Sequence, residues 1–387
     1  VGFEVYATRW DSPHVVEEVT SARGLAFNLP LSGHGQCSFS ATAGPGRCWW
    51  RAALSVAMSG ILVCSDGVPV WSGMMLPERQ SGPRTFDFSA VEWGAFFETC
   101  PSVPLTVKGM NDHVLQRRLI SDAQSVNGQN IGVILGSTTG AATSDLTINR
   151  WDTTTVEEEF RRAGEHEGGP EWYFNTAGTL ENPTRVLVQG DHLGSKTPVA
   201  VLEHVESTQD YVPPDLPPLV TPLSTLFPGD SRPIVGGQRR GGNVIAHPAR
   251  QQAAGVTTAI AVGAGDQTQQ LRAVAQSASL LRAGYPNRTR TGQYTDVRIP
   301  ATLQRHANAD LAAAAGMTTS YAFATFGTDP DWTAIARGST VRVELDTDCY
   351  ATERPLIFST RVLDIAVKVP DVGPTEVTYV TADVRDS

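Results

Sequence analysis

The chain has 387 residues, of which 41% are hydrophobic and only 18% charged. That composition excludes a disordered chain and supplies cores for roughly two to four folded modules. The formal net charge of -10 opposes attraction to phosphates, and Arg117-Arg118, Arg161-Arg162 and Arg239-Arg240 are isolated pairs, so nucleic-acid binding by a basic stripe is excluded.

With 36 glycines and 25 prolines the chain is rich in turns, and β-structure is expected to dominate. From 3 to about 100 it reads as strands, at 3–7, 24–29 and 37–41, with partial alternation. The clearest hairpin pairs 60–64 with 68–73 through Ser65-Asp66-Gly67, where Asp-Gly supplies the positive φ of a tight turn. A barrel or small sandwich is expected for 1–100. Between 101 and 206 the period changes. Asn111 or Asp112 can cap a helix carrying Leu115, Leu119 and Ala123. Thr154 and Glu157 have capping-box spacing for a second helix with Val156, Phe160 and Ala163 as its apolar stripe, ended by Gly164 or Gly168. Strands at 171–175 and 184–188 then form a hairpin across a long loop, 176–183.

Residues 207–243 hold seven prolines and end in Gly-Gly-Gln-Arg-Arg-Gly-Gly-Asn, a composition suited to a linker or to a fixed strap along a neighbouring surface; both readings stand. The last part opens with an Ala/Gln-rich strand or helix region at 253–283 and a helix at 302–315 stopped by Gly316. Strands at 320–324, 340–345, 356–359, 362–367 and 376–381 suggest a second barrel-like module. The predicted architecture is therefore a β-rich α+β, multi-domain chain. Its parts are an N-terminal β domain (1–100), a mixed α/β region (101–206), a Pro/Gly-rich segment (207–243) and a C-terminal α+β region (244–387). No repeat of fixed period indicates a solenoid.

Chemistry-bearing motifs fail one by one. Gly190-Asp191-His192-Leu193-Gly194-Ser195-Lys196-Thr197 ends like a phosphate loop but has Ser195 where glycine is needed, and 198–202 reads as a strand rather than a helix. Gly263-Ala264-Gly265-Asp266-Gln267-Thr268 lacks the third glycine of a dinucleotide loop. The eight histidines show no metal spacing, and His166-Glu167 caps a helix end at best. Gly136-Ser137-Thr138-Thr139-Gly140 has threonine at the nucleophile position. Asp329/Asp331 and Asp346/Asp348 lack a calcium-loop pattern and read as turn carboxylates. The cysteines at 37, 48, 64, 100 and 349 read as buried thiols. No catalytic, cofactor or metal residue is predicted. No apolar run is long enough for a membrane helix and no signal peptide is evident, so synthesis in a cytosol is expected. Trp49-Trp50 cannot both enter one core if they lie on a strand, which makes one of them a candidate for subunit contact.

Taken in order, the modules resemble the baseplate hub, or minor tail, proteins at the tail tip of long-tailed bacteriophages, particularly phages of actinobacteria. The similarity lies in Val70-Trp71-Ser72-Gly73 with Thr85-Phe86-Asp87-Phe88-Ser89-Ala90-Val91-Glu92-Trp93, in Gly169-Pro170-Glu171-Trp172-Tyr173-Phe174, in Val188-Gln189-Gly190-Asp191-His192-Leu193-Gly194, and in Arg337-Gly338-Ser339-Thr340-Val341-Arg342-Val343. The resemblance implies a non-enzymatic subunit of the virion tail tip: a homotrimer whose two barrel-like domains per chain make a pseudo-sixfold ring joining a sixfold tube to threefold tip proteins. It implies contacts with the distal tail protein, the tape measure protein and fibre or tip proteins, and a lumen through which genomic DNA passes without specific binding. Some relatives carry a C-terminal extension with receptor-binding or wall-degrading activity; with a final strand just before Ser387, none is expected here. The rival expectation is a cell-wall hydrolase or peptidase whose site has no motif.

Overall fold

The computed structural model describes residues 2–42, 54, 58–77, 79–80, 82, 84–166, 168–205, 243–246, 249–252, 256–265, 270–284, 286–295, 297–314, 318–346, 356–382 and 384–385. Trp49, Trp50 and residues 207–242 lie outside them.

Eight strands occupy the first 92 residues: β1 (Phe3–Arg9), β2 (Val15–Glu18), β3 (Ala22–Pro30), β4 (Gln36–Thr42), β5 (Ser59–Ser65), β6 (Val68–Met75), β7 (Arg79–Gln80) and β8 (Thr85–Glu92). β5 and β6 form the expected hairpin. Asp66 and Gly67 have φ of 49° and 78°, so both central residues adopt the left-handed conformation that matches strand twist. Alternation sends Phe86, Phe88, Ala90 and also Glu92 of β8 inward.

The middle region opens with a 3-10 turn, Trp93–Thr99, followed by β9 (Leu105–Asn111), α1 (Asp112–Ser125), β10 (Val133–Leu135), β11 (Thr143–Ile148), α2 (Val156–Arg162), β12 (Glu171–Gly178) and β13 (Pro183–Gly190). The Asn111 side chain caps α1 by accepting from Val114 N, and Leu115, Leu119 and Ala123 are buried on one face. The capping box of α2 uses Thr155 and Glu158 rather than Thr154 and Glu157. The displacement has a cause: the Thr154 carbonyl is already an acceptor for Ser102 N, and the Glu157 side chain turns toward His34. The β12–β13 hairpin is tighter than expected, because the strands run on to a Gly178–Pro183 pair and leave only 179–182 as loop. Pro183 is tolerated as the first strand residue, and Gly178 takes a φ of 92°. A second core collects Trp93, Phe97, Leu115, Ile120, Phe160, Trp172 and Phe174.

The remaining elements are β14 (Val201–Val205), β15 (Val244–Ala246), β16 (Ala249–Gln252), β17 (Thr258–Val262), β18 (Arg272–Gln276), α3 (Ala278–Arg282), β19 (Thr289–Gln293), α4 (Pro300–Ala314), β20 (Thr318–Phe326), β21 (Thr340–Asp346), β22 (Leu356–Lys368), β23 (Glu376–Thr381) and β24 (Val384–Arg385). The Ala/Gln-rich stretch is thus two strands and a short helix. β17, β18 and β19 make a separate small sheet covered on one face by α4 through Leu303 and Ala307. The strand expected at 198–202 starts only at Val201. β22 is one long strand where two were expected, because Thr360 and Arg361 continue its pairing with β21.

β22 also pairs with β3, Ile365 opposite Leu29. This ladder joins the strands of 3–92 to those of 318–385 in a single sixteen-stranded sheet, so the boundaries drawn at 100 and 244 do not interrupt it. The pairing satisfies the free edge that β3 would otherwise present beyond β4. One continuous core follows, from Val5 and Phe27 through Trp71 and Phe88 to Val343 and Tyr379. The described residues on either side of 206–242 are held together. Glu203 N donates to Asn243 Oδ1 at 2.9 Å, and Asn243 Nδ2 donates to Val201 O at 2.9 Å, so the chain returns to the strand it left.

Candidate functional site

Folding brings together side chains that no motif connected, and two groupings join a hydroxyl, an imidazole and a carboxylate. His166 Nε2 lies 3.0 Å from Asp112 Oδ2 and 3.3 Å from Ser144 Oγ, all buried. A nucleophilic triad needs the hydroxyl and the carboxylate on opposite ring nitrogens, and here both address the same one. In the second grouping His113 Nε2 lies 2.8 Å from Asp191 Oδ1, and Nδ1 lies 3.5 Å from Thr138 Oγ1. The nitrogens are distinct, but the hydroxyl contact is long, the imidazole is buried and the carboxylate is 54% exposed, the reverse of a carboxylate that orients a base from within. Thr138 lines neither of the two clefts described here, of 720 and 520 Å³.

The glycine-rich motifs are spent on structure. After β13, Leu193 N donates to Glu171 Oε2 and Ser195 N to Ser339 Oγ, so donors that a phosphate would need are already engaged. Gly194, at φ 77°, packs on backbone: an added Cβ would lie 2.3 Å from Ser339 N. Gly263 N and Ala264 N donate to Leu271 O and Val297 O, while 266–269 lie outside the described residues. Asp331 caps a 3-10 turn by accepting from Thr333 N and Oγ1. Asp348 and Glu167 are likewise outside the described residues. Cys37, Cys64 and Cys100 are buried free thiols, and burial pushes Cys64 up to about 12. Among the described residues no group of His, Cys, Asp and Glu is arranged to hold a metal, and no helix is long and apolar enough to cross a membrane.

What the charged residues do is lock the modules. Arg337, between the 3-10 turn Trp332–Ala334 and β21, reaches Glu92 at 2.7 Å, donates to Pro30 O and lies 4.6 Å over the Tyr173 ring. Glu92 also accepts from Gly35 N at 2.7 Å. Burial raises the Glu92 carboxyl above its ordinary range despite Arg337. Arg361 of β22 grips both oxygens of Glu171 and also donates to Gly338 O and Leu193 O. Arg185 of β13 lies 3.5 Å over Trp93 and donates to the carbonyls of Arg9, Trp10, Ser12 and Ile131; burial lowers it to about 9. The small sheet docks through α4. Arg305 donates to Thr143 O, and His306 stacks on Tyr294 at 4.1 Å and meets His166 edge-on at 5.8 Å. Burial holds His306, and separately His34 against Trp172, down at about 4.

Two surface features stand apart from these seams. The 720 Å³ cleft opens between the β5–β6 turn, β12 and the segment 327–337, with an apolar wall from Val68, Val70, Trp332 and Ile335 and with Asp66 and Asp331 among its lining. Trp151, 79% exposed, stands on a four-residue turn whose Asp152 carboxylate accepts from Asn149 N at 2.6 Å. The sequence pointed to Trp49 and Trp50, which lie outside the described residues, and passed over Trp151; its place in Asn149-Arg150-Trp151-Asp152, a polar turn after a strand, was the available signal.

This is the fold of phage tail proteins. The tail protein of Neisseria meningitidis MC58 matches with a TM-score of 0.61 at 15% identity, over 99% of this chain and 97% of that one. The 43 kDa tail protein of prophage MuSo2 from Shewanella oneidensis matches at 0.57 and 12%, over 99% and 98%. Prophage tail protein gp18 of Listeria monocytogenes EGD-e matches at 0.54 and 8%, over 97% and 94%. No protein-family profile and no curated protein sequence matches the chain.

Proposed function

We propose that this chain is a structural subunit of a phage tail tip, the baseplate hub, and not an enzyme. The observation that carries the reading is the end-to-end match to three tail proteins, in which nearly the whole of each chain is used. The seams of Arg337, Arg361 and Arg185 support it, because they fix several modules into one frame, as a load-transmitting part requires. In this reading the chain is a homotrimer forming a pseudo-sixfold ring between the sixfold tube and threefold tip proteins. It contacts the distal tail, tape measure and fibre proteins, and genomic DNA passes along its acidic lumen unbound.

Solution mass of the full chain and one image of C-terminally labelled tail tips test this together. Three chains per particle and a trimer in solution are expected. A chain that stays monomeric at high concentration and fails to bind the distal tail protein refutes it. Among the described residues, the Thr138, His113 and Asp191 grouping is the place to test a wall-degrading activity first. Wall-polymer turnover that disappears in Thr138→Ala would establish that rival.

A further inference from the structure

We infer that Trp151 is a plug for the 720 Å³ cleft of a second copy of this chain, the two forming a head-to-tail joint between neighbouring subunits. The inference rests on the ring reading and supplies its contact.

Tryptophan is highly buried on average, so 79% exposure is unusual for it, and it is among the residues that carry most binding energy at interfaces. The turn that carries Trp151 is also preorganised. Asp152 accepts from both the backbone N and the side-chain amide of Asn149, and Asp152 N returns a bond to Asn149 O, so little conformational freedom is left to lose on docking. The cleft is the complementary shape, concave and walled by Val68, Val70 and Ile335, with Val68 itself 59% exposed. Charge matches as well as shape. Arg150 precedes the plug and is exposed, whereas Asp66 and Asp331 are exposed in the socket. The cationic group of the socket, Arg337, is already neutralised by Glu92. No residue of the 149–152 turn lines the cleft of its own subunit. A joint made of two different patches is heterologous, and heterologous joints close into rings when the rotation allows.

The test uses the full-length chain and three preparations examined by light scattering and analytical ultracentrifugation. Trp151→Ala keeps a socket without a plug, and Val68→Arg keeps a plug but sets a cation in the socket against Arg150. Wild type is expected to assemble, and each variant alone to self-associate on the order of 30-fold or more weakly. An equal mixture of the two variants is expected to give a one-to-one dimer and nothing larger, because only one intact joint can form. A variant that failed to fold could not give that dimer, so the mixture also controls for folding. Both variants assembling like wild type overturns the plug and leaves the ring reading standing. A mixture that stays monomeric while wild type assembles and both variants keep the wild-type urea midpoint likewise overturns it. Wild type that is monomeric at high concentration overturns the plug, and it removes the ring reading too if it also fails to bind the distal tail protein.

Discussion

The Glu92–Arg337 pair invites a double-mutant cycle, since it sits where the N-terminal strands, β12 and the approach to β21 meet. Both side chains are almost fully buried. Replacing Arg337 with Met leaves the Glu92 carboxylate buried with the Gly35 N–H in place of its cation, and removing one partner of a buried pair costs about 3–5 kcal/mol. Glu92→Leu strands the guanidinium on Pro30 O and the Tyr173 ring at a similar cost. The double variant strands neither charge. Its cost is one unpartnered Gly35 N–H and imperfect packing, about 1–3 kcal/mol. The two single costs should therefore exceed the double by at least about 3 kcal/mol, read from urea unfolding midpoints at pH 7. Because burial already raises the Glu92 carboxyl, the Arg337→Met variant should recover part of its loss at pH 5, where a proton can neutralise the stranded group. Additive single and double effects, or an Arg337→Met cost under about 1 kcal/mol, would show that the pair does not hold the modules.

Three further outcomes are expected. His34 and His306 are held near 4 against an ordinary 6.5, so the unfolded chain binds their protons first. Their stabilising effect is complete above about pH 6.5 and lost as the pH falls toward 4, by up to about 3 kcal/mol per group; melting temperature against pH should flatten in His306→Gln, and an unchanged slope counts against this account. Gly73→Ala should destabilise by several kcal/mol, of order 3, because its Cβ would lie 2.1 Å from the Val91 carbonyl and 2.6 Å from the Trp71 ring; a midpoint within about 0.5 kcal/mol of wild type contradicts the close strand approach. A chain cut at a protease site introduced within 207–242 should still run as one species on size exclusion, since β14–β21 and β3–β22 bridge the cut; separation without denaturant contradicts that pairing.

The parts of the fold that were legible in the sequence are those decided within a few residues. Asp66-Gly67 fixes its own hairpin, and Asn111 fixes the start of α1. The one-residue error at Thr155 arose because two adjacent threonines offer the same spacing, and Ser102 and His34, both far away in sequence, select between them. Long-range pairing was illegible. Alternation tells β3 which face to bury but not that its second neighbour lies more than 330 residues on, at β22. The locking charges left a faint trace: Glu92 and Arg185 each stand at an inward phase of an alternating strand, where a charge implies a buried partner. That partner's identity belongs to the tertiary fold. The His113 and His166 groupings had no trace of this kind, being assembled from loops and the starts of α1 and β11.

The Asn243 clamp on β14 has a consequence for how such a chain can vary. A side-chain amide, standing in for a strand backbone, returns the polypeptide to its point of departure, so the chain leaves the frame after Val205 and rejoins it at Asn243 on the same strand. Whatever lies between is anchored to the frame at one place rather than two. That makes this one junction a port: a place where a rigid shared chassis can accept different attachments, natural or designed.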